Sequence, residues 1–203
     1  MAEASAGVAE EEALRADLYD LLGMLLARPP SADLLARLGA AGGGGGADSG
    51  ALGKPLSALS RLARRMTPQA VRAEYDALFI GLVRGELLPY ASYYLTGFLN
   101  EKPLAVLRRD MRRLGIARSP EVKDPEDHIA SLCEMMAGLI RGRFGAPAGL
   151  SAQRDFFAAH LAPWAGHFFG DLEGAKAAVF YAPVGTMGRA FVEIEREAFR
   201  MGA

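Results

Sequence analysis

From residue 14 onward, apolar residues recur at helical spacing, and nowhere does the chain alternate apolar with polar over the length a half-buried strand needs. This pattern points to helices rather than to a sheet. Leu14, Leu18, Leu21, Leu22 and Leu25 mark one face of a first helix. It stops before Pro29 and Pro30, which have no N–H to donate. Ser31 is placed to cap a short helix carrying Leu34, Leu35 and Leu38. Leu52, Leu56, Leu59, Leu62 and Met66 predict another, with Arg61, Arg64 and Arg65 off the stripe. Thr67-Pro68 reads as N-cap and first residue of the next, which lines Val71, Tyr75, Leu78 and Phe79 on one face before Gly81. Leu104, Leu107, Met111 and Leu114 predict a helix that turns Arg108, Arg109, Arg112 and Arg113 outward. Ile129, Leu132, Cys133, Met136, Leu139 and Ile140 predict the one after it. Ser151 caps a helix with Phe157, Leu161, Trp164, Phe168 and Leu172, bent or interrupted at Pro163, and a last helix carries Phe180, Val184, Met187, Phe191 and Ile194. The expectation is an all-α bundle of about seven to eight helices.

Two stretches break the periodicity. "GAAGGGGGADSG" holds too many glycines to keep a fixed backbone at low entropic cost, so residues 41–50 read as a flexible surface loop. Too little chain precedes it for a separate core, and residues 1–203 are expected to form one domain. The second stretch, Gly81 to Gly97, contains Pro89, Tyr90, Tyr93 and Tyr94. A long, aromatic-rich connection of this kind inside a domain tends to carry function.

Composition removes several function classes. No apolar run approaches the roughly 20 residues of a membrane span. The start of the chain is acidic and Ala-rich, without the basic and apolar regions of a secretory signal, so the expected location is the cytoplasm. Cys133 is the single cysteine, which leaves no internal disulfide and no Cys-rich zinc site. Lys and Arg total 23 against 24 Asp and Glu, so no overall basic field exists to hold nucleic acid.

The stretch "KDPEDHIASLCEMM" gathers acids and a histidine before an apolar stripe. Asp124 followed by Pro125 is a strong helix start, and Glu126 and Asp127 then fall in a first turn where the helix dipole favours negative charge. Capping alone accounts for Asp124 and Glu126. Asp127 and His128 are left over, on one edge of the helix with Asp124. An Asp/His pair without a third partner, a Gly-x-Ser-x-Gly or a His-Glu-x-x-His spacing is a weak catalytic signal. His160 and His167 lack a nearby carboxylate in the sequence, and "GGGGG" lacks the Lys-Ser/Thr ending of a phosphate loop. Neither metal nor cofactor is expected. The arginine faces at 61–65 and 108–113 read as solvated helix surfaces, or as contacts for an acidic partner or RNA. Tyr90, Tyr93 and Tyr94 either pack the end of the bundle or offer a platform for an apolar segment.

In order, "EYDALFIG", "GELLPYASYYL", "KPLAVLRRDMRRLGI", "DPEDHIASLCEMM", "FFAAHLAPWAGHFF" and "FYAPVGTMGRAFVEIE" resemble the TorD/DmsD/NarJ family of chaperones for molybdenum-containing redox enzymes. The blocks cover most of the chain from Tyr75 to Glu195. The family's usual Glu-Pro-x-Asp-His stands here as Asp124-Pro125-Glu126-Asp127-His128, and a loop aromatic that is often tryptophan is Tyr90. The resemblance implies an all-helical cytoplasmic chaperone rather than an enzyme. Such a chaperone binds the twin-arginine signal peptide of a molybdopterin-containing oxidoreductase and holds the apo-enzyme for cofactor loading before export. Carried over residue by residue, the peptide site comprises Tyr75, Leu78, Phe79, Pro89, Tyr90, Ser92, Asp127 and His128. Asp127 would pair an arginine, His128 would orient it, and the aromatics would bury the apolar segment that follows. Nucleic acid and stable membrane insertion are not expected. Some relatives exchange helices between subunits, which leaves a homodimer open. Two alternatives stand beside this reading: a helical scaffold or nucleic-acid-binding protein using the arginine faces, and an enzyme using Asp127 and His128.

Overall fold

Prolines, short polar caps and left-handed glycines cut the chain into ten α-helices and one π-helical turn, with no strand among the described residues. The structure, a computed structural model, describes residues 2–41, 50–118, 121 and 123–202. Of the glycine-rich segment expected to form a flexible loop at 41–50, residues 42–49 lie outside the described residues.

The helices separate into two compact units. The first comprises Met1–Ala27 and Tyr90–Pro163. It holds α1 (Ala2–Ala27), α5 (Ala91–Thr96), α6 (Lys102–Arg113), α7 (Ile129–Arg141) and α8 (Leu150–His160). The second comprises Arg28–Pro89 and Trp164–Ala203. It holds α2 (Ala32–Ala41), α3 (Gly53–Arg65), α4 (Pro68–Tyr75), the π turn (Asp76–Ile80), α9 (Ala165–Gly174) and α10 (Ala182–Met201).

In the first unit α1 packs along α7, which is buried on nearly every side from Ile129 to Ile140. The leucine stripe predicted for α1 is displaced. Ala16, Tyr19, Leu22, Leu25 and Leu26 are buried, whereas Leu14 is 58 % exposed. A stripe of large residues misses the small ones that set a close helix pair. At Gly23 an added Cβ would sit 3.1 Å from the Glu134 side chain, so the contact face runs through Ala16 and Gly23.

The second unit is built around aromatic packing of α9 on α10. Trp164, Phe168, Phe169, Phe180, Tyr181 and Phe191 are all buried. Gly188 permits the approach, since a Cβ there would lie 2.3 Å from the Phe169 ring. The capping expectations hold at Ser31, whose Oγ accepts the Leu34 N–H at 3.2 Å, and at Thr67, whose Oγ1 accepts the Ala70 N–H at 3.2 Å. Ser151 does not cap α8, because the helix already begins at Leu150 with Gly149 as its N-cap.

The helix count exceeds the expected seven to eight for two reasons. The chain between His160 and Ala165, which contains Pro163, separates α8 from α9, and the six residues of α5 lie inside what reads as an irregular connection.

Candidate functional site

The geometry of the first unit turns on where α7 begins. Asp124 is not its cap. The chain bends at Asp124 and turns at Glu126 and Asp127, and the helix starts at Ile129 with His128 as N-cap, its Nδ1 accepting the Ala130 N–H at 3.1 Å. An isolated antiparallel bridge between Tyr90 and His128 holds His128 extended (φ −63°, ψ 137°), and a residue paired in that way cannot join a helical turn. The acids freed from capping take other partners. Asp124 Oδ1 accepts the Tyr90 hydroxyl at 3.2 Å. Glu126 is buried, and one of its oxygens accepts Arg108 twice, from Nε at 3.0 Å and from Nη2 at 2.8 Å. Arg118 Nε lies 3.7 Å from the other oxygen. Burial pushes the Glu126 carboxyl upward, but the bonds and charges of Arg108 and Arg118 outweigh it and hold the group below the usual carboxylate range.

Asp127 is 1 % exposed. Its backbone carbonyl accepts the Ala91 N–H at 3.0 Å, and its Oδ2 accepts the Ser92 N–H at 2.8 Å. These are first-turn donors of α5 with no partner inside the helix. A carboxylate distant in sequence therefore caps a helix too short to sustain itself. The other oxygen, Asp127 Oδ1, has no hydrogen-bond partner, and neither does the buried Ser92 Oγ. Asp127 forms part of the wall of a cleft of about 290 Å³ whose other walls are largely apolar, among them Leu95, Val106, Leu107 and Leu132. Leu95, Phe98, Leu99 and Val106 leave apolar surface open along α5 and the start of α6.

His128 packs edge-to-face against Tyr90 with ring centroids 5.0 Å apart. Burial lowers its pKa to about 4, only partly opposed by Asp124 and Asp127. The ring is neutral at pH 7, and with Nδ1 accepting, Nε2 carries the proton. Asp127 and His128 therefore spend their bonds on α5 and α7 and do not form the mutual pair of a catalytic relay.

A larger cavity of about 580 Å³ in the same unit includes Asp20, Glu126 and Arg143 in its lining. Its acids are already matched, with Arg143 donating two bonds to Asp20 at 2.8 and 2.5 Å and Arg108 holding Glu126. The smaller cleft has in its wall Asp127, whose Oδ1 is buried and without a hydrogen-bond partner. Among the described residues no three of His, Cys, Asp or Glu come together to hold a metal ion, and no helix is long and apolar enough to cross a membrane.

Four of the residues singled out in the sequence, Tyr90, Ser92, Asp127 and His128, are thus brought together in the first unit. Tyr75, Leu78, Phe79 and Pro89 belong to the second. There the Tyr75 and Phe79 rings pack at a tilt of 59° with centroids 4.9 Å apart and both meet Tyr181, while Leu78 is fully buried. Sequence reasoning missed Glu74. Its carboxylate accepts three backbone N–H groups, from Val179 and Tyr181 at 2.8 Å and from Phe180 at 3.0 Å, and so fixes the chain entering α10. An acid flanked by the apolar positions Val71, Tyr75 and Leu78 was the available signal. Arg108 lies on the exposed face expected of it, but its bond to Glu126, 18 residues away, is linked by no local spacing.

The family model described as nitrate reductase delta subunit matches residues 46–170. Chaperone protein TorD of Vibrio cholerae serotype O1 (strain ATCC 39315 / El Tor Inaba N16961) is 30% identical over 149 residues, covering 70% of this chain and 68% of the relative. The TorD chaperone of Vibrio atlanticus (strain LGP32) is 27% identical over 151 residues, 70% of each chain. A crystal structure described as a redox enzyme maturation protein from Archaeoglobus fulgidus shares the fold at a TM-score of 0.57 and 22% identity, over 88% of this chain and 93% of that one. With ten helices and no strand among the described residues and a matching family model over more than half its length, the chain belongs to the TorD/NarJ family of redox enzyme maturation chaperones.

Proposed function

We propose that the chain is a cytoplasmic, non-catalytic chaperone that binds the twin-arginine signal peptide of a molybdopterin-containing oxidoreductase. In this role it holds the apo-enzyme for cofactor loading before export. The observation that carries the reading is Asp127, which lines the apolar cleft and has one buried carboxylate oxygen without a partner. A twin-arginine signal combines guanidinium groups with an apolar segment. A guanidinium supplies the charge-assisted donor that Asp127 Oδ1 lacks, and Leu95, Phe98, Leu99 and Val106 offer the segment apolar surface. Tyr90 and Ser92 frame the carboxylate, and His128 fixes the backbone that presents it. Tyr75, Leu78, Phe79 and Pro89 enter the proposal as an apolar cluster of the second unit whose replacement by Ala tests whether that unit also reads the peptide.

Burying about 400 Å² of apolar peptide surface contributes on the order of 10 kcal/mol, and immobilising the peptide removes part of it. A dissociation constant of about 1 μM is the expected result. The test is calorimetric titration with a synthetic twin-arginine signal peptide and its Lys-Lys counterpart. Binding of the first and at least roughly tenfold weaker binding of the second supports the reading, because lysine cannot reproduce the planar fork of donors. Equal affinity for both removes arginine recognition from the site.

A further inference from the structure

The second unit carries a feature that the peptide site does not use. After the π turn the chain makes a tight loop, and Leu82 and Val83 at its tip are 107 % and 101 % exposed. The loop is built to hold them there. Gly81 sits at φ +62°, and a Cβ on it would lie 2.0 Å from the Arg84 carbonyl oxygen. A Cβ on Gly85 would lie 2.4 Å from the Phe79 backbone. Three backbone bonds close the neck: Gly81 N–H to Asp76 O at 2.7 Å, Glu86 N–H to Ala77 O at 3.2 Å, and Leu87 N–H to Leu78 O at 2.8 Å. Only glycine fits the two positions, so the tip is a fixed convex projection. Arg84 is exposed beside it. The Glu86 carboxylate accepts the N–H groups of Lys176 at 2.7 Å and Ala177 at 3.2 Å, which ties a second segment, with exposed Lys176 and Val179, to the loop. Ile80, at the end of the π turn, is exposed as well. Water-exposed aliphatic side chains flanked by cations are therefore displayed on a rigid mount.

We propose that this loop is a peripheral docking tip that seats the chain reversibly on an anionic lipid surface. Two arguments select that occupant. Leu82 and Val83 offer on the order of a few hundred Å², short of the roughly 800 Å² per partner that a stable protein interface buries. A convex tip also needs no matched cavity in a lipid surface, where apolar side chains enter the acyl boundary while Arg84 and Lys176 stay at the headgroups. The two cations match negative headgroups, each strengthening the attraction by about fivefold near the surface. This inference does not depend on the peptide-binding reading.

The experiment is flotation of the full chain with vesicles of phosphatidylethanolamine and phosphatidylglycerol, compared with pure phosphatidylcholine, at low and at physiological salt. The expected result is binding to the anionic vesicles, weakened by salt, and reduced roughly tenfold in Leu82→Ser/Val83→Ser and about fivefold in Arg84→Gln. Circular dichroism and twin-arginine peptide titration run on the same variants separate loss of fold from loss of docking. No binding to anionic vesicles, or binding that the double variant leaves unchanged, overturns the proposal. So does a tip variant that loses association with a client enzyme while vesicles never bind the parent, because the tip then serves a protein surface.

Discussion

Replacing Asp127 in two ways separates its structural bond from its proposed recognition role. In Asp127→Ala the Ser92 N–H loses its acceptor in a buried site and α5 loses its cap. Leaving such a donor unmet costs about 1–3 kcal/mol, so this variant should be destabilised by about 2 kcal/mol and bind poorly because α5 is unseated. Asp127→Asn is the informative change. Its amide oxygen can keep the Ser92 bond, while the amide nitrogen takes the place of the unpartnered Oδ1. Removing a buried charge that has only one bond should leave stability within about 1 kcal/mol of the parent. The same change replaces an acceptor with a donor where the guanidinium would dock. A hydrogen bond to a charged group contributes about 1.5–3 kcal/mol, so the peptide dissociation constant should rise roughly ten- to hundredfold. Urea unfolding measures the first quantity, and calorimetric titration with the twin-arginine peptide the second. An Asp127→Asn protein of parental stability that binds the peptide within a factor of about two of the parent refutes the pairing of Asp127 with an arginine.

Two further outcomes follow from buried groups. His128 has its folded pKa lowered from 6.5 to about 4, so between those values the unfolded chain binds more protons; its contribution is present above pH 6.5 and is lost as pH falls toward 4, by up to about 3 kcal/mol. His128→Asn retains a capping side chain that does not titrate, and urea midpoints measured from pH 7.5 to 4.5 should fall less steeply in this variant than in the parent. In the second unit, Glu74→Gln places an amide donor against one of the three N–H groups its carboxylate accepts, and should cost about 2–4 kcal/mol in urea unfolding. A Glu74→Gln protein as stable as the parent would show that water can replace that bond.

Helices were legible in this sequence wherever the signal is local. Stripes such as Leu104, Leu107 and Met111, and caps such as Thr67, depend on neighbours three or four positions away, and the structure keeps them. The α1 face was misplaced because the stripe counted leucines, whereas helix contact depends as much on Ala16 and Gly23. The start of α7 was misplaced for a different reason. Asp124-Pro125 has the right local chemistry for a cap, but Tyr90, distant in sequence, pairs with His128 and delays the helix. Helix α5 was invisible because six residues are too few to show a period and its N-terminus is held by Asp127. The residue types of the candidate site could be named from the sequence. The single oxygen left unpaired in it could not, because that depends on which bonds its neighbours have already made.

Those bonds also suggest how the site could be both specific and reversible. Asp127 lines the cleft and holds α5 through Oδ2 while its buried Oδ1 has no partner, so in the proposed complex one carboxylate links ligand pairing to the seating of a helix whose own hydrogen bonds are few. An isolated helix of this length is unstable in water, and α5 should open locally far more often than α7, which is buried along its length. A guanidinium at Oδ1 neutralises the carboxylate and packs the peptide against Leu95 and Val106, which favours the seated form. Hydrogen exchange at the amides of residues 92–96 should therefore slow by the factor that ligand occupancy sets, roughly a hundredfold at a peptide concentration one hundred times the dissociation constant. Amides in α7 that exchange only through global unfolding slow by the same linkage factor, so the diagnostic signal is the slowing of the fast, locally opening amides of α5. Slowing there links the helix to the peptide site. Unchanged α5 exchange at saturating peptide would show that α5 opens with the peptide still bound, and that it has no gating role.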